Sequence, residues 1–116
     1  MLMLKLLIGL GVIYTIVCCL FPAFEVCGES MHPTLKEGDK IVTIRCFNKR
    51  NLILRNIYAF KAPNDKEGRI VVKRLIGRNK SGQCYFTGDN REKSYDSRYY
   101  GYVNSKQVIS RFLFKI

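Results

Sequence analysis

Three stretches of the sequence hold side chains whose types and spacing can do chemistry. The first is Gly28-Glu-Ser-Met-His-Pro-Thr-Leu35, followed directly by Lys36-Glu-Gly-Asp39. Its Ser30 hydroxyl is a nucleophile only if a base accepts its proton. Without one, Ser30 is a local backbone hydrogen-bonder of the kind common in proline-containing turns. The second is Val71-Val-Lys-Arg-Leu-Ile-Gly77. A lysine enclosed among such residues can have its pKa of about 10.4 lowered by up to roughly five units, because an apolar setting disfavours the ammonium. Pointing to solvent, the same lysine is an ordinary surface cation. The third is Gly88-Asp-Asn-Arg-Glu-Lys-Ser-Tyr-Asp-Ser-Arg98, with Tyr99-Tyr-Gly101 behind it. It offers hydroxyl, carboxylate and guanidinium groups for a polar network, or it is simply a hairpin loop built on Gly and Asn.

The elements that must position these groups divide the chain in two. Leu6 to Phe24 is a run of 19 residues without a charge, in a chain of 116. At about 1.5 Å per residue a helix of that length spans roughly 28 Å, the thickness of a bilayer's hydrocarbon core. A buried core helix would carry a polar face, and this run has only Tyr14, Thr15 and two glycines. A cleaved signal peptide would have a shorter apolar stretch and a small-x-small site, which Phe24 and Glu25 spoil. The run therefore reads as an uncleaved membrane anchor, residues 1–25, with residues 26–116 as one small domain. Lys5 before the run and Glu25 after it favour a cytoplasmic N-terminus and a domain on the non-cytoplasmic face, in a bacterial inner or plasma membrane.

That domain reads as mainly β, a small antiparallel fold behind a single transmembrane helix. Lys40–Arg45 follows the Gly38-Asp39 turn signal and is rich in β-branched residues. Arg69–Gly77 is the clearest strand, Leu52–Phe60 a poorly patterned one. Gln83–Thr87 and Tyr99–Val103 flank the polar loop, and Gln107–Ile116 closes the chain. In the second stretch, alternation puts Lys73 on one face with Val71 and Leu75, and Arg74 on the other with similar apolar company. Pattern alone does not choose between the two.

The net charge is +11, from 20 basic and 9 acidic residues. Such a balance suits anionic head groups, at about 1 kcal/mol per well-placed basic residue near a membrane surface. It also suits nucleic acid, but no recognition-helix or aromatic RNA-binding motif is present, so no specific nucleic-acid partner is expected. Of the five cysteines, Cys18 and Cys19 lie in the apolar run. Cys27, Cys46 and Cys84 permit at most one internal bridge. No Cys/His spacing suggests zinc, and neither metal nor cofactor is expected.

Taken in order behind the apolar run, Ser30-Met-x-Pro-Thr-Leu35, Gly38-Asp39, Lys73-Arg74 with Ile76-Gly77, and Gly88-Asp-Asn-Arg…Ser94…Asp96-Ser-Arg98 resemble the type I signal peptidase family. These are membrane-bound serine-lysine proteases that remove signal peptides from exported proteins, and the likeness runs from the stem to about Val103. The resemblance implies Ser30 as nucleophile and Lys73 as base. Chemistry agrees, because a guanidinium such as that of Arg74 cannot be deprotonated in a protein. His32, the only histidine, falls on the motif's variable position and reads as a surface residue. The resemblance further implies that Ser94 hydrogen-bonds the lysine ammonium, that Asp96 and Arg98 form a bracing pair, and that Asp89 and Asn90 belong to the supporting loop. It places the backbone N–H of Ser30 in the oxyanion hole. Some members put a serine two residues before the nucleophile as a second donor; here that position is Gly28. Substrates are then preproteins bound in extended form, adding a strand beside the site, with small residues one and three positions before the cut.

Larger members also insert a β subdomain where this chain has only Arg78 to Phe86. That suggests a minimal version of the phage, plasmid or organelle kind. Three other classes remain as alternatives: a catalytically impaired membrane adaptor, a self-cleaving relative of the repressor autoproteases, and a basic membrane- or nucleic-acid-binding module.

Overall fold

The computed structural model describes residues 1–116. Leu2–Leu20 forms the first helix, α1, and none of its residues is buried against the rest of the protein. It is long and apolar enough to cross a membrane. The helix starts before the uncharged run and stops short of its end, because Pro22 has no N–H to continue the ladder. The chain leaving it is tied down at once. Pro22 C=O accepts from Thr43 N (3.0 Å) and Thr43 Oγ1 (2.6 Å), and Arg45 Nε donates to Cys19 C=O (2.6 Å). Ala23–Glu25, the last two residues of the apolar run and the glutamate after it, is thereby delivered as a short strand, β1.

The remaining strands are β2 (Lys40–Arg45), β3 (Ile57–Lys61), β4 (Ile70–Arg78), β5 (Cys84–Thr87) and β6 (Val108–Lys115). They make one sheet in the order β1-β2-β6-β3-β4-β5, and every pairing is antiparallel. The chain is thus mainly β, a small antiparallel sheet behind an apolar helix. Strand β3 lies between β6 and β4, and its nearly continuous apolar run reflects packing on both of its faces, alternate side chains entering two different cores. Tyr58 and Phe60 enter one core with Leu75, Phe86 and Val108, while Ile57 enters a second with Met31, Leu35 and Ile41. Register shifts at Val42/Thr43, Ala59/Phe60 and Leu75/Gly77 let the sheet bend between the two cores.

Two segments depart from the sequence reading. In Leu52–Phe60 only the second half is strand, because Arg55 takes a left-handed turn (φ 74°) and Arg55 N and Asn56 O close onto Leu75. Tyr99–Val103 is mostly not β. Asp96 caps a single helical turn, α2 (Ser97–Tyr100), by accepting from Arg98 N, and only Val103 bridges to β5.

Candidate active site

Ser30 lies in the connection from β1 to β2 and is held by what flanks it. Val26 N and O bond to Asp39 O and Gly38 N, closing the base of the connection. Met31 and Leu35 are 1% exposed and plug the second core, so the residue next to Ser30 is an anchor. Ser30 C=O accepts from Asn90 N (2.8 Å), whereas Ser30 N–H makes no hydrogen bond within the protein. Gly28 adopts φ 82°, where a side chain is strained although space is open around it. The backbone itself therefore disfavours a hydroxyl donor at this position.

Lys73 comes from the middle of β4 and is 6% exposed. Its Nζ lies 2.6 Å from Ser30 Oγ, the one hydrogen bond that it makes. Burial holds its pKa below the ordinary lysine value, and the charge of Asp96 partly opposes that shift. Val71 and Leu75 pack with Tyr58 on the Lys73 face. Arg74 turns to the other side, where Nε and Nη2 fork the two oxygens of Asp89 at 2.8 and 2.7 Å and Nη1 donates to Arg55 C=O. Asp89 also accepts from Thr34 Oγ1 (2.6 Å). The hydrogen bonds from Arg74 hold its carboxyl below the usual range, against the opposing effect of burial. This pair ties the loop carrying Asp89 both to β4 and to the turn after Ser30.

The loop after β5 completes the site. Ser94, which the resemblance places on the lysine, instead donates to Asp96 Oδ2 (2.7 Å). Asp96 is fully buried and also accepts from Gly88 N (2.9 Å), Arg98 Nε (2.9 Å) and Arg98 Nη2 (3.1 Å). Burial alone would raise its carboxyl, but the bonds from Arg98, Ser94 and Gly88 outweigh it and hold the pKa at about 2. Asp96 is thus the fixed negative charge that Lys73 senses, and Ser94 orients that charge. Asn90 closes the loop onto the serine segment, its Nδ2 donating to Glu29 C=O (3.1 Å). His32 is exposed and makes no side-chain hydrogen bond. The five cysteines are free thiols.

Sequence reasoning missed three participants. Gly88 runs so close to its neighbours that an added Cβ would fall 2.5 Å from Ser30 O and 2.6 Å from Ser94 Cβ, and would also strike Ser94 Oγ. Arg74, passed over as the wrong base, is the anchor for Asp89. The Tyr100 hydroxyl is buried without a partner, and Tyr100 lines the cleft that contains Ser30 and Lys73. Burial raises its pKa, with a further push from Asp96. Nothing in the sequence pairs Arg74 with Asp89, 15 residues away, and nothing singles out Tyr100.

The cleft has a volume of about 700 Å³. A smaller lobe of about 350 Å³ adjoins it, lined by Phe24, Val26, Cys27, Val71 and Val72 and floored by Ser30 and Lys73. Its two sides are strand edges. The outer edge of β1 is unpaired, and β5 covers β4 only from Arg74 onward, leaving Ile70–Lys73 open on that side. A serine hydroxyl against a buried amine, beside open strand edges, is an arrangement for acyl transfer on an extended peptide.

Comparison with known proteins agrees in kind. The chain matches the family described as signal peptidase, peptidase S26, over residues 1–79 and 80–116. No curated protein matches it. The family match covers the chain from end to end, and the protein belongs to the S26 signal peptidase family.

Proposed function

We propose that the protein is a membrane-anchored serine endopeptidase that cleaves signal peptides with a Ser30–Lys73 dyad. The anchor is the helix Leu2–Leu20, with the N-terminus cytoplasmic. The sheet domain acts on the non-cytoplasmic face; it takes in Ala23–Glu25 as β1 and so begins a little before the boundary at residue 26 expected from sequence. The observation that carries this reading is the 2.6 Å approach of a buried Lys73 Nζ to Ser30 Oγ. When the amine is neutral, the polarity of that contact reverses: the hydroxyl donates and Nζ accepts. Ser30 Oγ then attacks the scissile carbonyl as Lys73 takes its proton, and the unpartnered Ser30 N–H meets the developing oxyanion. The ammonium returns the proton to the leaving amine, and the amine so regenerated draws a proton from the water that releases the acyl-enzyme.

The substrate enters as an extended strand in the gap between β1 and the open edge of β4, as in other strand-addition modes. The smaller lobe lies on that path and accepts small side chains before the cut. The test is cleavage of a preprotein in detergent by the full chain beside Ser30→Ala. Cleavage after a small-x-small motif by the first and none by the second is the expected result. Absence of cleavage by the unaltered protein would leave the adaptor reading in its place.

A further inference from the structure

A second groove, of about 820 Å³, opens where α1 joins the sheet. It shares only Phe24 and Ile70 with the lobe beside Ser30. Four basic residues line it, Arg45, Lys49, Lys61 and Lys106, and no acidic one does. None of the four has a carboxylate partner; the ion pairs of this protein involve Arg69, Arg74, Lys93, Arg98 and Lys115. Lys49 Nζ instead donates to Lys106 C=O (3.1 Å), and Arg45 keeps Nη1 and Nη2 free beyond its Nε bond to Cys19. Gathering like charges without a counterion costs energy that an anionic ligand would recover.

Apart from Gln107, the rest of the lining is apolar and includes Pro22 and Phe47, the latter 74% exposed. Pro22 stands two residues beyond the last residue of α1, about 7 Å of chain at most. With α1 across a bilayer, the groove sits at head-group depth, where basic and aromatic side chains meet phosphate and glycerol.

We infer that this groove binds the head group of an anionic phospholipid: the basic residues take the phosphate, and Phe24, Phe47 and Ile70 meet the start of the acyl chains. The inference rests on the membrane reading of α1 and not on the chemistry of Ser30, so it stands or falls independently of cleavage. The test is native mass spectrometry of the full chain in non-ionic detergent, titrated with phosphatidylglycerol or phosphatidylcholine. Phosphatidylglycerol should form adducts at least roughly tenfold more readily than phosphatidylcholine. Lys61→Gln/Lys106→Gln, at two exposed positions, should lower phosphatidylglycerol adducts by roughly tenfold or more. Lys36→Gln/Lys80→Gln, with the same change in charge elsewhere, should keep them. Thermal melting checks that both variants fold, and the single change Lys61→Glu repeats the measurement if the double variant does not. Equal loss in both double variants would show diffuse attraction and overturn the site. Displacement of the lipid by millimolar inorganic phosphate, or preferential binding of a short oligonucleotide that Lys61→Gln/Lys106→Gln abolishes, would overturn the lipid assignment.

Discussion

Lys73 is the residue on which the proposed chemistry turns, and its environment gives a definite sign with pH. Burial lowers its pKa from the ordinary value of 10.5. Since only the neutral amine can accept the proton of Ser30, cleavage should rise with pH through that lowered value and fall as acid restores the ammonium. A pH–rate profile measures this directly. Lys73→Arg keeps charge and approximate reach but cannot lose a proton, so it should cost about 10²–10⁴-fold in rate. Wild-type turnover by that variant would make the lysine an electrostatic prop. Gly88 tests the packing beneath the dyad. Gly88→Ala must push on Ser30 C=O and the Ser94 side chain together, and should destabilise by about 1–3 kcal/mol in chemical denaturation while reducing cleavage. Tyr100 tests the opposite case. Its buried hydroxyl has no partner, so Tyr100→Phe should leave the free protein as stable as before or more stable by about 1 kcal/mol. A clear loss of stability on melting would mean that the hydroxyl has a partner in solution.

Among the elements, those whose burial follows a simple period were legible in advance. Strand β2 was, because Lys40–Arg45 alternates buried Ile41 and Thr43 with half-exposed Val42 and Ile44. So was β4, to within a residue at each end. Strand β1 was not, since Ala23 and Phe24 belong to the same apolar run as the stem, and only Pro22 with the bonds from Thr43 turns them into sheet. Tyr99–Val103 looked like strand by composition until the Asp96 carboxylate, engaged by Arg98 N, set a helical turn instead. The site divides in the same way. Residue type and motif singled out Ser30 and Lys73, whose side chains meet at 2.6 Å, and they named Ser94 and Asp96 without pairing them with each other. The Asp89–Arg74 fork, by contrast, joins residues 15 apart and has no signature in the chain. The Asp96 network carries its own pH signature. With its pKa held at about 2 against an unperturbed 3.8, its contribution to stability is fully present above pH 3.8 and is lost as pH falls through about 2. Asp96→Asn should flatten that acid limb of a denaturation series.

For the whole molecule, the division between an apolar helix with no protein cover and a basic sheet domain sets where the protein can reside. The full chain should stay with membranes through an alkaline carbonate wash, with residues beyond Glu25 open to protease from the non-cytoplasmic side. A mature soluble form starting near Cys27 would identify the stem as a cleaved leader. The bonds of Thr43 and Arg45 to Pro22 and Cys19 have a larger meaning on this scale. They join helix and sheet as a bracket, not a tether, so with α1 across a bilayer as proposed the cleft would stand at one height above it and face one compass direction around the helix axis. Selection of a cleavage site then becomes partly a matter of measurement. On the proposed function, a preprotein anchored in the same bilayer would offer its scissile bond at a height set by the length of its own apolar segment, and only those whose bond arrives level with Ser30 would be cut. Lengthening that segment step by step should move the cut along the substrate in register, and Arg45→Ala, by loosening the bracket, should blur the gauge.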